Sequence, residues 1–165
     1  MGETLLSLPM IFSLAVYGAP YTHQAADSAY QFAQAAILGG HSVYRVFFYH
    51  DGVYNASALT VPPQDEPNIP ERWAQLAQTH SMDLVVCIAA AMRRGMLNEE
   101  EADRHGKSNH NLLGTFTLSG LGQLVDAGVN SDRLTTFAPW LKNSYLLTAN
   151  HRMARCSPRS RSMPY

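Results

Sequence analysis

Five short runs rich in apolar, β-branched and aromatic residues are separated, for the most part, by stretches whose small and apolar residues recur at helical spacing. The first run, residues 10–17 (MIFSLAVY), ends at Gly18, Ala19 and Pro20. It is followed by residues 23–38, where Ala26, Ala29, Tyr30, Ala33 and Ile37 fall on one helical face before Gly39 and Gly40 close the helix. Residues 42–49 (SVYRVFFY) read as a strand buried on both faces. Residues 50–57 read as a loop from their Asp-Gly and Asn content, and the prolines of residues 61–70 argue against regular structure there.

Helix resumes over residues 71–80, with Trp73, Leu76 and Ala77 on one side, and residues 83–88 (DLVVCI) form the third strand. A helix start follows at residues 89–94. Asn98 then caps an acidic helical turn, an arrangement the helix dipole favours. Residues 115–118 read as a short strand, 121–127 as a helix stopped by Gly128, and 133–137 as a last strand. This alternation predicts a three-layer α/β/α domain with a mostly parallel sheet of about five strands.

A chain of 165 residues, 46% hydrophobic and 15% charged, is of a size and composition to bury one core. Its two cysteines, Cys87 and Cys156, make no disulfide framework, which favours a reducing compartment, the cytoplasm. The apolar stretch from Leu5 to Tyr17 has Glu3 where a signal peptide needs a basic end, is broken by Pro9, and is too short to span a bilayer. Residues 1–137 hold all thirteen acidic side chains and seven basic ones, whereas residues 138–165 hold five basic side chains and no acid. An acidic body disfavours direct binding of nucleic acid. The basic tail has no aromatic interleaved with its arginines from Arg152 to Arg161, so it reads as a solvated, flexible end.

In a parallel sheet, ligands and reactive groups gather beyond the carboxyl ends of the strands. Cys87 lies at that edge, immediately before a helix start. The residues leave two readings of it open. A cysteine inside an apolar strand is ordinarily a small buried hydrophobe. A cysteine facing a helix start, with Arg93 and Arg94 adding positive potential and Ala89, Ala90 and Ala91 leaving room for another molecule, is placed to react as a thiolate.

Other motifs are weaker. Ser119 lacks the G-x-S-x-G setting of a nucleophile, and Gly120-Leu121-Gly122 is only a fragment of a dinucleotide fingerprint. The seven histidines show no metal-ligand pairing; His50 is the only one near the thiol edge. Gly18 to Thr22 has Pro20 where a phosphate-cradling loop would want backbone donors, so a flavodoxin-like nucleotide or flavin module is disfavoured.

Four stretches, VYGAPYTHQ at residues 16–24, FFYHDGVY at 47–54 with Asn55 and Ala56, CIAAAMRRG at 87–95 and FTLSGLG at 116–122, resemble the DsrE/TusD family of sulfur-relay proteins, its TusD-like branch in particular. The resemblance runs in unbroken order over residues 10–137. It implies a sulfurtransferase subunit in which Cys87 carries sulfur as a persulfide, with no metal, nucleotide or flavin. Further implied are a heterohexamer with TusB-like and TusC-like subunits, a TusA-like sulfur donor and a TusE-like acceptor. The sulfur would end in 2-thiouridine at the wobble position of transfer RNA, with the RNA handled by a separate enzyme. Asp51, Tyr54 and Asn55 lie in the family-like segment after the second strand and are candidates to border the thiol site, against plain turn formation.

Residues 1–9 form an extension before the family-like region, and the tail of residues 138–165, which contains Cys156, follows it. Two alternatives accompany the main reading: DsrE-like sulfur trafficking in dissimilatory sulfur oxidation, which keeps Cys87, and a non-catalytic scaffold subunit in which Cys87 is merely core.

Overall fold

The computed structural model describes residues 8–139. Most of the N-terminal extension, nearly all of the basic tail, and Cys156 with it, lie outside the described residues.

Five strands form one sheet in the order β4-β3-β2-β1-β5. They are β1 (Ile11–Val16), β2 (Ser42–Phe48), β3 (Asp83–Cys87), β4 (Thr117–Ser119) and β5 (Arg133–Phe137), and every pairing is parallel. The chain therefore steps outward from β1 to β4 and then returns past three strands to place β5 on the far side of β1. The connecting helices are α1 (Gln24–Leu38), α2 (Ile69–His80), α3 (Ile88–Met92), α4 (Glu99–Arg104) and α5 (Gly122–Val129). Right-handed crossovers put α1 and α2 on one face and send α5, on the returning connection, to the other. This is the expected three-layer arrangement, with the sheet wholly parallel. No described helix is long and apolar enough to cross a membrane.

Side-chain packing follows from the alternation of strand residues. Phe48 points toward α2, where Trp73 is fully buried, edge-on to Phe48 at 5.6 Å and to Tyr30 of α1 at 5.2 Å. Edge-to-face pairs of this kind contribute about 0.5–1.5 kcal/mol each beyond burial. Three residues earlier and on the opposite face, Arg45 reaches α5. The β1–β2 register skips Tyr44, pairing Phe12 with Val43 but Ser13 with Arg45. This bulge lets two consecutive side chains serve the same partner. The Tyr44 hydroxyl donates to Asp126 at 2.8 Å, and Arg45 bonds Asp126 at 2.5 Å and Asp83 at 2.7 Å. A buried guanidinium is tolerated because both carboxylates and the Gln123 carbonyl at 3.0 Å satisfy it.

Three expectations change. Residues 50–57 are not a loop: His50–Ala56 is a 3-10 helix. Helix α2 starts at Ile69, because Asn68 caps it and Pro70 sits in the first turn, where the missing N–H costs nothing. Gly128 does not stop α5, which runs to Val129 and is closed by Asn130 bonding back to the Asp126 carbonyl.

Helix α5 leaves an apolar stripe in solvent. Leu121 is 49% exposed, Val125 67% and Val129 77%, at successive i, i+4 positions, with Leu134 of β5 exposed beside them.

Candidate functional site

Three strand ends build the site. Strand β3, buried along Leu84–Cys87, runs straight into α3 with no intervening loop, so that Cys87 is both the last strand residue and the residue capping the helix. Its register partner on β4 is Ser119. The residue as a whole is only 2% exposed, yet it lines a pocket of about 350 Å³ that opens at the carboxyl edge of the sheet. Tyr49 and His50 come to this pocket from the end of β2, Ile88 to Ala90 with Arg93 and Arg94 from α3 and its exit, and Gly120 with Leu121 from the turn after β4. The thiol therefore sits at the floor of a cleft with small apolar residues and two guanidinium-bearing residues around it.

The helix dipole is a smaller contributor than the sequence suggests. Helix α3 is one of only five residues, Ile88–Met92, and ends at Arg93; few aligned peptides stand behind its first N–H groups. Positive charge at the pocket comes instead from the arginines. Arg94 is tied down: its Nε donates to Asp51 Oδ1 at 2.8 Å and its Nη1 to the Ala90 carbonyl at 3.2 Å.

The 3-10 helix is held against β1 by close backbone contact. Tyr49 N–H donates to the Val16 carbonyl at 2.9 Å, and a Cβ added at Gly52 would lie 2.1 Å from that same oxygen. Only glycine fits there. Asn55, fully buried, uses its Nδ2 to bond the carbonyls of Gly18 at 3.1 Å and Gly52 at 2.8 Å.

The three expected neighbours of the thiol thus separate. Asp51 reaches the pocket indirectly, by gripping Arg94. Asn55 clamps the 3-10 helix to the loop after β1 and does not line the pocket. Tyr54, 37% exposed, does not line it either. Tyr49 and Leu121 do, although nothing in their local sequence marks them: one is the terminal aromatic of an apolar strand, the other an apolar residue between glycines. Among the described residues no group of three or more His, Cys, Asp or Glu side chains gathers as a metal cage.

Comparison with known proteins gives a consistent result. Residues 10–137 match the DsrE/DsrF-like family. A relative from Allochromatium vinosum carrying the name "Putative sulfurtransferase DsrE" is 56% identical over 128 residues, 78% of this chain and 98% of its own. The sulfurtransferase TusD homolog of Pseudomonas aeruginosa is 48% identical over 128 residues, 78% of this chain and 97% of its own. That of Vibrio cholerae is 46% identical over 129 residues, 78% of this chain and 98% of its own. The crystal structure of the ychN protein from E. coli shares the fold at a TM-score of 0.60 and 18% identity, over 78% of this chain and 99% of that one.

Proposed function

The chain belongs to the DsrE/DsrF-like family and its relatives are sulfurtransferases, and on that premise we propose that Cys87 is the residue on which it carries sulfur, as a persulfide, between a donor and an acceptor protein. The single observation that carries this reading is the place of Cys87 at the floor of an open pocket at the carboxyl edge of the sheet, the one cysteine among the described residues. A thiol used only as core filler needs no such opening.

The chemistry is thiol exchange. Cys87 thiolate attacks the outer sulfur of the donor's persulfide, the donor cysteine leaves as a thiolate, and Cys87–S–SH results. The acceptor's thiolate then attacks that outer sulfur, and Cys87 leaves as a thiolate. One zero-valent sulfur moves at each step and nothing is oxidised or reduced overall, so the exchange draws on no metal, nucleotide or flavin. Arg93 and Arg94 line the same pocket and bring positive charge to the place where the sulfurs exchange. A floor position requires the donor and acceptor to present their cysteines on projecting segments.

Residues 10–137 form the sulfurtransferase domain, with residues 1–9 and 138–165 as extensions to it. The subunit works in the cytoplasm within a heterohexamer of TusB-like and TusC-like chains. Support for a partner comes from the exposed stripe of Leu121, Val125 and Val129, since Leu121 also lines the Cys87 pocket and a subunit seated there would adjoin it. The donor is TusA-like, the acceptor TusE-like, and the sulfur goes to 2-thiouridine at the wobble position of transfer RNA, with the RNA held elsewhere. Relatedness to two TusD homologues at 46–48% identity supports this destination. The higher identity, 56%, to the Allochromatium relative favours a second destination, sulfur trafficking in dissimilatory sulfur oxidation through the same Cys87.

The test is sulfur transfer from a persulfidated TusA-like donor to a TusE-like acceptor through the assembled complex. Cys87→Ala abolishes transfer and preserves assembly; transfer that survives the substitution would make the chain a scaffold. Complementing strains deficient in wobble thiolation or in sulfur oxidation separates the two destinations.

A further inference from the structure

Thiol exchange leaves a proton to be managed. The attacking cysteine starts as a thiol and the departing one leaves as a thiolate, so a group that takes the first proton and returns it to the leaving sulfur speeds both halves. Of the side-chain types around Cys87, the guanidinium groups of Arg93 and Arg94 only donate. An imidazole does both near neutral pH, and His50 supplies one.

Several features place it. His50 lines the same pocket as Cys87. Its ring packs beside a pair of tyrosines that touch each other, 4.5 Å from Tyr49 at 65° and 5.7 Å from Tyr17 at 30°, while the residue remains open to solvent. Its backbone is left-handed, with φ at 49°. Two residues on, Gly52 lies against the Val16 carbonyl, and glycine would adopt the same backbone at position 50 with no steric cost. The turn therefore demands the conformation and not the imidazole. The ring's aromatic neighbours are Tyr17 and Tyr49; the titratable and charged residues that share a pocket with His50 are Tyr49, Cys87, Arg93 and Arg94 in the thiol pocket and Tyr17 and Asp51 in an adjoining one. Asp51 is engaged by Arg94, which leaves the imidazole free of that carboxylate.

We propose that His50 is the acid–base group of the Cys87 pocket. This rests on the persulfide reading above and adds to it the residue that moves the proton. In loading, neutral His50 takes the Cys87 thiol proton, the thiolate attacks the donor's outer sulfur, and imidazolium returns the proton to the departing donor thiolate. In unloading, His50 takes the proton of the acceptor thiol, the acceptor thiolate captures the outer sulfur, and imidazolium protonates Cys87. Each cycle leaves His50 neutral, as it began.

The experiment is single-turnover loading of the full chain by a persulfidated TusA-like donor, read by intact mass from about pH 5 to pH 9, a range that brackets the ordinary imidazole. His50→Asn and His50→Gly both tolerate the left-handed backbone, so both are expected to melt with wild type. The expected result is loading about 100-fold slower near neutral pH in both variants, to the same final persulfide content. Added imidazole restores the rate of His50→Gly in proportion to its neutral fraction and leaves wild type unchanged. Variants that load at the wild-type rate, or slow variants that imidazole does not rescue, would overturn the proposal and leave Cys87 as carrier. A wild-type protein that takes up no sulfur at all overturns the persulfide reading and this inference with it.

Discussion

Arg94 reaches Asp51 Oδ1 at 2.8 Å and so joins the turn that follows α3 to the 3-10 helix that follows β2. The pair fixes one wall of the thiol pocket, because Arg94 is part of the lining and Asp51 decides where its guanidinium points. Both ends are partly exposed, at 24% and 52% of the side chain, so its contribution to global stability is small. Asp51→Asn is expected to change urea-unfolding stability by less than about 1 kcal/mol while slowing sulfur loading several-fold. Raising the salt concentration narrows the difference between wild type and variant. An equal loading rate in the two proteins at low salt would show that the wall does not depend on the pair.

The approach of Gly52 to the Val16 carbonyl predicts a larger effect with no charge involved. In Gly52→Ala the new Cβ, 2.1 Å from that oxygen, forces the 3-10 helix away from β1, at a cost of about 1–3 kcal/mol or more. Gly120→Ala, where nothing lies within 4 Å of the added carbon, is expected to stay within about 0.5 kcal/mol. Thermal unfolding of the two variants side by side reads the contrast.

Tyr44, Arg45 and Asp126 predict how stability varies with pH. The Tyr44 hydrogen bond, and after it Arg45, holds Asp126 below its ordinary 3.8, so the contribution is present above that value and is lost as pH falls through the depressed one. The same bond raises Tyr44 above its ordinary 10.0, so on the alkaline side the contribution is present below that value and is lost as pH rises through the raised one. Tyr44→Phe is expected to flatten both limbs of the stability profile measured by chemical denaturation. A profile unchanged by the substitution would mean that α5 is held to the sheet by other contacts.

The stripe on α5 predicts a separation of assembly from folding. Val129 is 77% exposed, so Val129→Glu is expected to leave the isolated subunit within about 0.5 kcal/mol of wild type. The same substitution is expected to remove co-purification with the TusB-like and TusC-like subunits proposed above. Retained assembly would place the subunit interface elsewhere.

What the sequence discloses here depends on how local each determinant is. The last strand, Arg133–Phe137, has the predicted bounds, and Cys87 stands out by its place between a strand and a helix start. The 3-10 helix of His50–Ala56 is hidden, because Asp51-Gly52 is also turn chemistry and the helix forms only when Gly52 meets a carbonyl 36 positions earlier in the chain and Asn55 bonds Gly18. The bulge at Tyr44 is hidden for the same reason, since it is a relation between two strands. Asp51 and Arg94, 43 residues apart, are each unremarkable alone. Tyr54 and Asn55 sit in a family-like segment, but the segment's role is partly to fold itself: Asn55 is a backbone clamp, His50 lines the thiol pocket, and Asp51 reaches it only through Arg94.

The most direct test of the central claim is intact-mass spectrometry of the purified chain under non-reducing conditions, after incubation with a persulfidated TusA-like donor, for wild type and Cys87→Ser. The account predicts a gain of one sulfur atom in wild type that a reductant removes and that the variant lacks. A gain retained in Cys87→Ser, or none in wild type with TusB-like and TusC-like subunits present, would contradict it.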